Sequence, residues 1–179
     1  MAKIIYRKGM KGQNKLSCIE GIEIGLLNGQ KALIFPKYSK EYLMQSDQID
    51  KWNARALSEI EALKVEDTVS ETVALFNLGS PAANWVLLFV TEDRRQFSLP
   101  SLLAAMEIQH QKEEIDALAE TIEGADLLRD FTSSVWSCSR FNTYGGWVAY
   151  GGGGFAYYGS LSIAFLAVPT ILYREEEEL

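Results

Sequence analysis

The residues of this chain that could carry chemistry are few and scattered. His110 is the only histidine of the 179 residues. It falls among Gln109, Gln111 and Lys112 in a stretch of helical periodicity, where an exposed helix residue is the expected role. A Ser-His-Asp or Cys-His nucleophilic set would have to use it, and nothing nearby favours that. Cys18 and Cys138 are the only cysteines, and with one histidine they supply too few soft ligands for a zinc site. Their wide separation suits two thiols in a reducing compartment, with a single bridge as the alternative. Gly151 to Gly154 could cradle a phosphate, but no Lys-Ser/Thr follows and no helix-forming sequence supplies a dipole. A turn between strands is the preferred reading. Glu113 and Glu114 read as solvated charges on a polar helix face. The expectation is a chain that is not an enzyme, with no catalytic residues, no cofactor and no metal.

The stretch with most chemical character runs from Phe131 to Tyr173, and its chemistry is recognition. It holds no Lys, Glu, Asp, Gln, Met or His, although the preceding hundred residues are rich in them. A core strand would be dominated by Val, Ile and Leu. Here Tyr, Ser, Gly, Asn and Phe dominate, the vocabulary of binding loops: Tyr gives large amphipathic contact area at low entropy cost, and the small residues adapt. A binding face on a buried scaffold is expected. The competing reading is a set of buried strands joined by glycine turns.

Composition narrows the partners. With 47% hydrophobic residues the chain can bury one sizeable core. A net charge of −7 argues against nucleic acid, because phosphate affinity rests on clustered Lys and Arg. The early cluster of Lys3, Arg7, Lys8, Lys11 and Lys15 is too loose to reverse that. The first residues lack an apolar signal region, and Gly, Ser or Pro breaks every long apolar run. The expected protein is soluble and made in a cytoplasm, without membrane insertion.

The elements that would position the face follow from periodicity. Asn28-Gly29 between apolar runs predicts a hairpin over residues 20 to 35, ended by Pro36. Trp52, Ala56, Leu57, Ile60 and Leu63 recur at helical spacing, predicting a helix from Asp50 to Leu63. Thr68 to Asn77 predicts another, stopped at Leu78-Gly79-Ser80-Pro81. Trp85 to Val90 reads as a buried strand. Ser101 is an expected N-cap for a helix reaching Glu107 to Gln111, with a second helix from Lys112 to Ile122 and a stop at Gly124. Arg174 and the glutamates after it form a solvated tail. No internal repeat divides the chain. The fold class is α+β, with helices in the middle and strands at both ends.

Several of these residues together resemble a known family. Phe97-Ser-Leu-Pro-Ser101, a helix, Gly124-Ala-Asp-Leu-Leu128, Trp136-Ser-Cys-Ser139, Gly146-Trp-Val148 and the closing Ala167-Val168 resemble C-type-lectin-fold domains of the formylglycine-generating-enzyme-like branch. Within that branch the chain is most similar to the variable proteins of diversity-generating retroelements, found in phages and gut bacteria. There, adenines in the codons of the C-terminal segment are randomised. Asn-type codons treated this way never yield Lys, Glu, Gln, Met or Trp. Those types are missing from Ser137 to Val168 apart from Trp147, a framework position. The chain departs from the pattern at Leu166, where the family has Arg, and at Cys138, where it has Ser.

The resemblance covers about residues 97 to 170. It implies a C-type-lectin-like fold with two main helices and a mixed or antiparallel sheet bearing glycine-rich loops. The expected division is residues 1–65 as strands, hairpin and helix, a candidate subdomain for attachment; 66–173 as the lectin-like domain; and 174–179 as the acidic tail. Trp136, Trp147, Val148, Ala167 and Val168 are the expected scaffold. Arg140, Phe141, Asn142, Tyr144, Tyr150, Phe155, Tyr157, Tyr158, Ser160, Leu161 and Ile163 are the contact candidates, with strand alternation turning about half inward. Calcium is not expected, since Ser137 to Val168 holds no carboxylate. The implied partner is a protein or cell-surface ligand, with phage receptor binding or surface display as the setting. The alternative is a structural virion or fibre subunit that meets other virion proteins, or further copies in a homo-oligomer, through the same surface. An oxygenase like the formylglycine-generating enzymes, built on paired cysteines, is the third reading.

Overall fold

The computed structural model describes residues 1–44, 57–142, 144–151 and 153–175, an α+β arrangement of two mostly antiparallel sheets and five α-helices among those residues. The first sheet has the order β1-β2-β3-β9, from β1 (Lys3–Tyr6), β2 (Ile19–Gly25), β3 (Lys31–Ile34) and β9 (Thr170–Tyr173). The β2–β3 hairpin sits where Asn28-Gly29 places it. Gly29 has φ +80°, and the Asn28 carboxamide oxygen accepts the Gln30 N–H at 3.0 Å. The second sheet has the order β4-β8-β5-β6-β7, from β4 (Ser39–Glu41), β5 (Val135–Asn142), β6 (Gly145–Ala149), β7 (Ala156–Ser160) and β8 (Phe165–Ala167). Its neighbours are antiparallel except β5 and β8, which meet in parallel at Val135 and Leu166.

Chain ends and chain middle are woven together. β9 completes the N-terminal sheet by pairing with β3, and β4 closes one side of the C-terminal sheet by pairing with β8. Residues from either side of positions 65 and 66 therefore share both sheets. One core cluster joins Ile22, Ile24 and Ile34 of the first sheet to Ala104, Ile108 and Ile115 of the helices and to Val135, Ala149 and Leu166 of the second sheet.

The helices follow their capping signals. α2 (Thr68–Asn77) begins where the Asp67 carboxylate accepts the Ser70 N–H, and α4 (Leu102–His110) where the Ser101 hydroxyl accepts the Ala104 N–H at 3.1 Å. α5 (Lys112–Ala119) ends earlier than expected, and a turn carries the chain to Ile122 before Gly124 reverses it at φ +88°. Of the helix expected from Asp50 to Leu63, residues 50–56 lie outside the described residues. The remainder forms α1 (Glu59–Leu63), which buries Ala62 and leaves Ile60 exposed.

One expectation is overturned. Trp85 to Val90 is not a buried strand: its first two residues finish a helix, α3 (Pro81–Val86), and Leu88 and Val90 are exposed. The Ser80 hydroxyl caps the Ala83 N–H at 3.1 Å and Pro81 occupies the first turn, so a helix start outweighs the apolar run. The Ser80-Pro81 pair that reads as a stop for α2 is also the start of α3.

Candidate functional site

The contact candidates gather at one end of the second sheet, on and around β5, β6 and the edge strand β7. Their footing is rigid. Trp136 is fully buried, donates its indole N–H to the Glu41 carbonyl at 2.7 Å and meets Phe165 edge-on at 4.9 Å. Trp147 donates to the Leu57 carbonyl at 2.8 Å and packs with Leu102 and Ala62. Each indole thus satisfies its one polar group while burying its rings. Val148, Ala167 and Val168 are buried as well, so all five expected scaffold positions lie inside.

β6 carries no exposed side chain, and two of its residues are glycines for steric reasons. A methyl on Gly145 would lie 2.8 Å from the Gly159 carbonyl of β7, and one on Gly146 would overlap Leu43 and stand 3.2 Å from the Trp136 ring. Gly159 is equally crowded: a methyl there would lie 2.6 Å from the Phe165 ring. β7 can therefore lie close against β6, with Trp147 opposite Tyr158 and Val148 opposite Tyr157.

On that footing the aromatic side chains form a continuous outer stack. Phe141 stacks on Tyr158 at 4.7 Å, Tyr158 on Tyr157 at 4.8 Å, and Tyr157 meets Tyr150 at 6.4 Å. Phe141 also meets Trp147 edge-on at 4.9 Å, which ties the stack to the core. Tyr157, Tyr158 and Tyr150 are each at least half exposed, and Tyr144 and Phe155 reach 72% and 69%. Tyr150, Phe155 and Tyr157 line a concavity of about 390 Å³. The adjacent Tyr158 hydroxyl holds the Tyr157 phenol above its ordinary pKa.

Polar candidates shape the loops around the stack. The Asn142 carboxamide accepts the Tyr144 N–H at 2.9 Å in the β5–β6 turn, and the half-buried Arg140 donates from Nε to the Asn142 carbonyl at 3.0 Å. Burial lowers the Arg140 guanidinium pKa. Arginine remains charged even so. Ser160 shares a 2.8 Å hydroxyl contact with Ser162, and Ile163 is half exposed.

Leu161 is the exception among the candidates. It is 2% exposed and belongs to the core around Leu43, Trp136 and Val148. Its N–H donates to the Tyr144 carbonyl at 2.8 Å, which ends the strand and turns the side chain inward. Strand alternation does not continue into that turn.

Three residues outside the aromatic segment border it without any sequence signal. His110, at the end of α4, places Nε2 3.2 Å from the Gly153 carbonyl and Nδ1 3.5 Å from Glu107, so it pins the turn between β6 and β7. The imidazole occupies the space a Cβ on Gly154 would need. Gly154, at φ +69°, fits only as glycine. Gly151 and Gly153 lie in a turn, the arrangement expected of this glycine run. Lys40 and Lys112 come from β4 and α5 to line a second cavity beside Tyr150.

The thiols stand apart from this surface. Cys18 and Cys138 are both free and buried. Burial, the main cause, pushes the Cys138 thiol pKa up to about 12, the opposite of an activated cysteine. Among the described residues no group of three or more His, Cys, Asp or Glu could hold a metal ion, and no helix is long and apolar enough to cross a membrane. In comparisons with known protein families, with curated proteins and with solved structures, nothing matches the chain.

Proposed function

We propose that this protein is a non-enzymatic recognition protein, displaying the outer stack of Phe141, Tyr158, Tyr157 and Tyr150, with Tyr144 and Phe155 beside it, to a protein or cell-surface ligand. The observation that carries the reading is the exposure of this continuous aromatic surface on a sheet whose inner positions are fully packed. A contiguous exposed apolar patch has no role in folding and is the ordinary mark of a binding site. Tyrosine and arginine are the side chains that dominate interface energetics, and Arg140 stands at its margin.

The division between scaffold and surface also supports a lectin-like display domain diversified by a retroelement. The Trp and Val residues of the resemblance are buried, while the exposed positions carry residue types that randomised Asn-type codons yield. The test is to sequence the DNA flanking the gene. The expected finding is a near-repeat of codons 131 to 173 whose mismatches fall only at template adenines, at codons for exposed positions, with a reverse transcriptase alongside. No such repeat, or mismatches concentrated at Trp136, Trp147 and Val148, refutes diversification.

A second reading has its own observation. β7 is an edge strand, and an edge bearing exposed aromatics is suited to pairing with another chain, as in a virion or fibre subunit. Size-exclusion chromatography with light scattering decides between them. The recognition reading expects Tyr157 and Tyr158 to remain free in solution; an obligate oligomer that buries them overturns it in favour of assembly.

A further inference from the structure

Below the aromatic stack lies a cavity of about 550 Å³ with a different character. Five segments converge on it: Lys40 of β4, Lys112 at the start of α5, Thr132 to Ser134 before β5, Tyr150 and Gly151 after β6, and Ile163 to Phe165 leading into β8. Its size is within the range of small-ligand sites. We infer that this cavity is a subsite for a carboxylate carried beside an apolar group, contributed by the ligand that the aromatic surface receives. The inference rests on the recognition reading and deepens it.

Charge is the first argument. Among the described residues no Asp or Glu lines the cavity, although the chain as a whole carries −7. Neither Lys40 nor Lys112 has an ion pair or side-chain hydrogen bond among the described residues, whereas Lys3, Lys31 and Lys37 are each paired. Two ammonium groups bordering one concavity give it a positive potential that favours an anion.

The second argument is an unused donor. Ser134 is 7% exposed, and its hydroxyl has no hydrogen-bond partner among the described residues. Its carbonyl is occupied, accepting from the Ser133 hydroxyl at 3.1 Å and from the Leu166 N–H at 2.9 Å. The hydroxyl is reachable by solvent rather than sealed in, and the residue lines the cavity. A carboxylate would accept from this hydroxyl and from the two ammonium groups together.

The wall is also built with care for space. A methyl on Gly151 would lie 2.8 Å from the Ser133 carbonyl, so only glycine lets the β6–β7 turn close against the loop before β5. Ile163, Ala164, Phe165 and Tyr150 also line the cavity and bring apolar side chains to it. A bare inorganic anion would leave that surface wet. A carboxylate joined to an aromatic or aliphatic group would fill both halves.

The test uses N-acetylphenylalanine, its uncharged amide, and inorganic phosphate as probes, read by amide chemical shifts on the full chain. The expected result is saturable shifts at Ser133, Ser134 and Gly151 with N-acetylphenylalanine and roughly fivefold weaker binding or none with the amide. The same loss is expected when Lys40→Gln and Lys112→Gln are combined, since neither side chain holds the fold together. If that variant does not fold, wild-type binding must still weaken between about 0.05 and 0.5 M salt, as ion pairing requires. Equal binding of acid and amide, or salt-independent binding, overturns the subsite. Phosphate shifting the same amides as strongly as N-acetylphenylalanine overturns its apolar half. A failed titration leaves the aromatic display to be judged by the flanking DNA and by light scattering, so the two ideas fail separately.

Discussion

Replacing Gly145 with alanine isolates the claim that β7 is held by the absence of side chains on β6. Where there is room for the methyl, alanine in place of a glycine of ordinary φ is neutral or stabilising by about 0.4–1 kcal/mol through the unfolded chain. In the structure Gly145 is a strand residue opposite Ser160, and the added methyl would lie 2.8 Å from the Gly159 carbonyl. Backbone cannot rotate away as a side-chain tip can, so β7 must shift. Overpacking of this kind costs about 1–3 kcal/mol. Because β7 is an edge strand with freedom to move outward, the low half of that range applies, and the entropy gain offsets part of it. The net expectation is a loss of about 1 kcal/mol. In urea unfolding followed by circular dichroism, a slope of about 1–3 kcal/mol per molar makes this a fall of about 0.3–1 M in midpoint. Gly25→Ala is the control: it also ends a strand, but a methyl there meets nothing within 4 Å. Its midpoint should stay or rise. An unchanged or higher midpoint for Gly145→Ala would refute the steric account of β7.

Two further expectations separate surface from core. Tyr157→Ala combined with Tyr158→Ala removes exposed rings and two stacked pairs, and should lower stability by about 1–3 kcal/mol in the same assay while removing ligand binding; a loss of about 4–5 kcal/mol, the upper range for deleting a buried Trp, would place these rings in the core instead. The buried Cys138 thiol, raised by burial from 9.0 to about 12, contributes stability that is fully present below pH 9 and is lost as pH climbs toward 12, at up to about 1.4 kcal/mol per pH unit. Unfolding midpoints measured from pH 8 to 11 should fall less steeply in Cys138→Ala, and identical slopes would show that the folded thiol ionises as readily as the unfolded one.

What was legible in the sequence is what short-range chemistry decides. Asn28-Gly29 marked the hairpin because only a few residues tolerate its turn, and Ser101 marked α4 because a hydroxyl there satisfies an otherwise orphaned N–H. Trp85 to Val90 misled because a short apolar run fits a buried strand and a buried helix equally, and the deciding signal, Ser80 with Pro81, lay upstream. Residue types identified the aromatic surface, but not its partners across the fold. β4 reaches β8 over more than a hundred residues of sequence, so no local pattern could announce that Lys40 would face Ser134 and Lys112 in one cavity. His110 read correctly as a surface helix residue, yet its contact with Gly153 follows only from where α4 ends.

The aromatic surface is hard to account for by stability alone. Stacked pairs contribute about 0.5–1.5 kcal/mol each, and the same strands could present Thr or Lys to water at no packing cost. Exposed edge strands in stable proteins are usually blunted by charge, yet β7 carries none and presents Tyr157 and Tyr158 instead. Meanwhile everything that fixes the strand in place, from the glycines of β6 to the indoles of Trp136 and Trp147, sits behind it and takes no part in the exposed area. A surface built this way can change its outer side chains without disturbing the fold. Under the proposed recognition function, that separation would let the bound partner vary while the fold stays fixed.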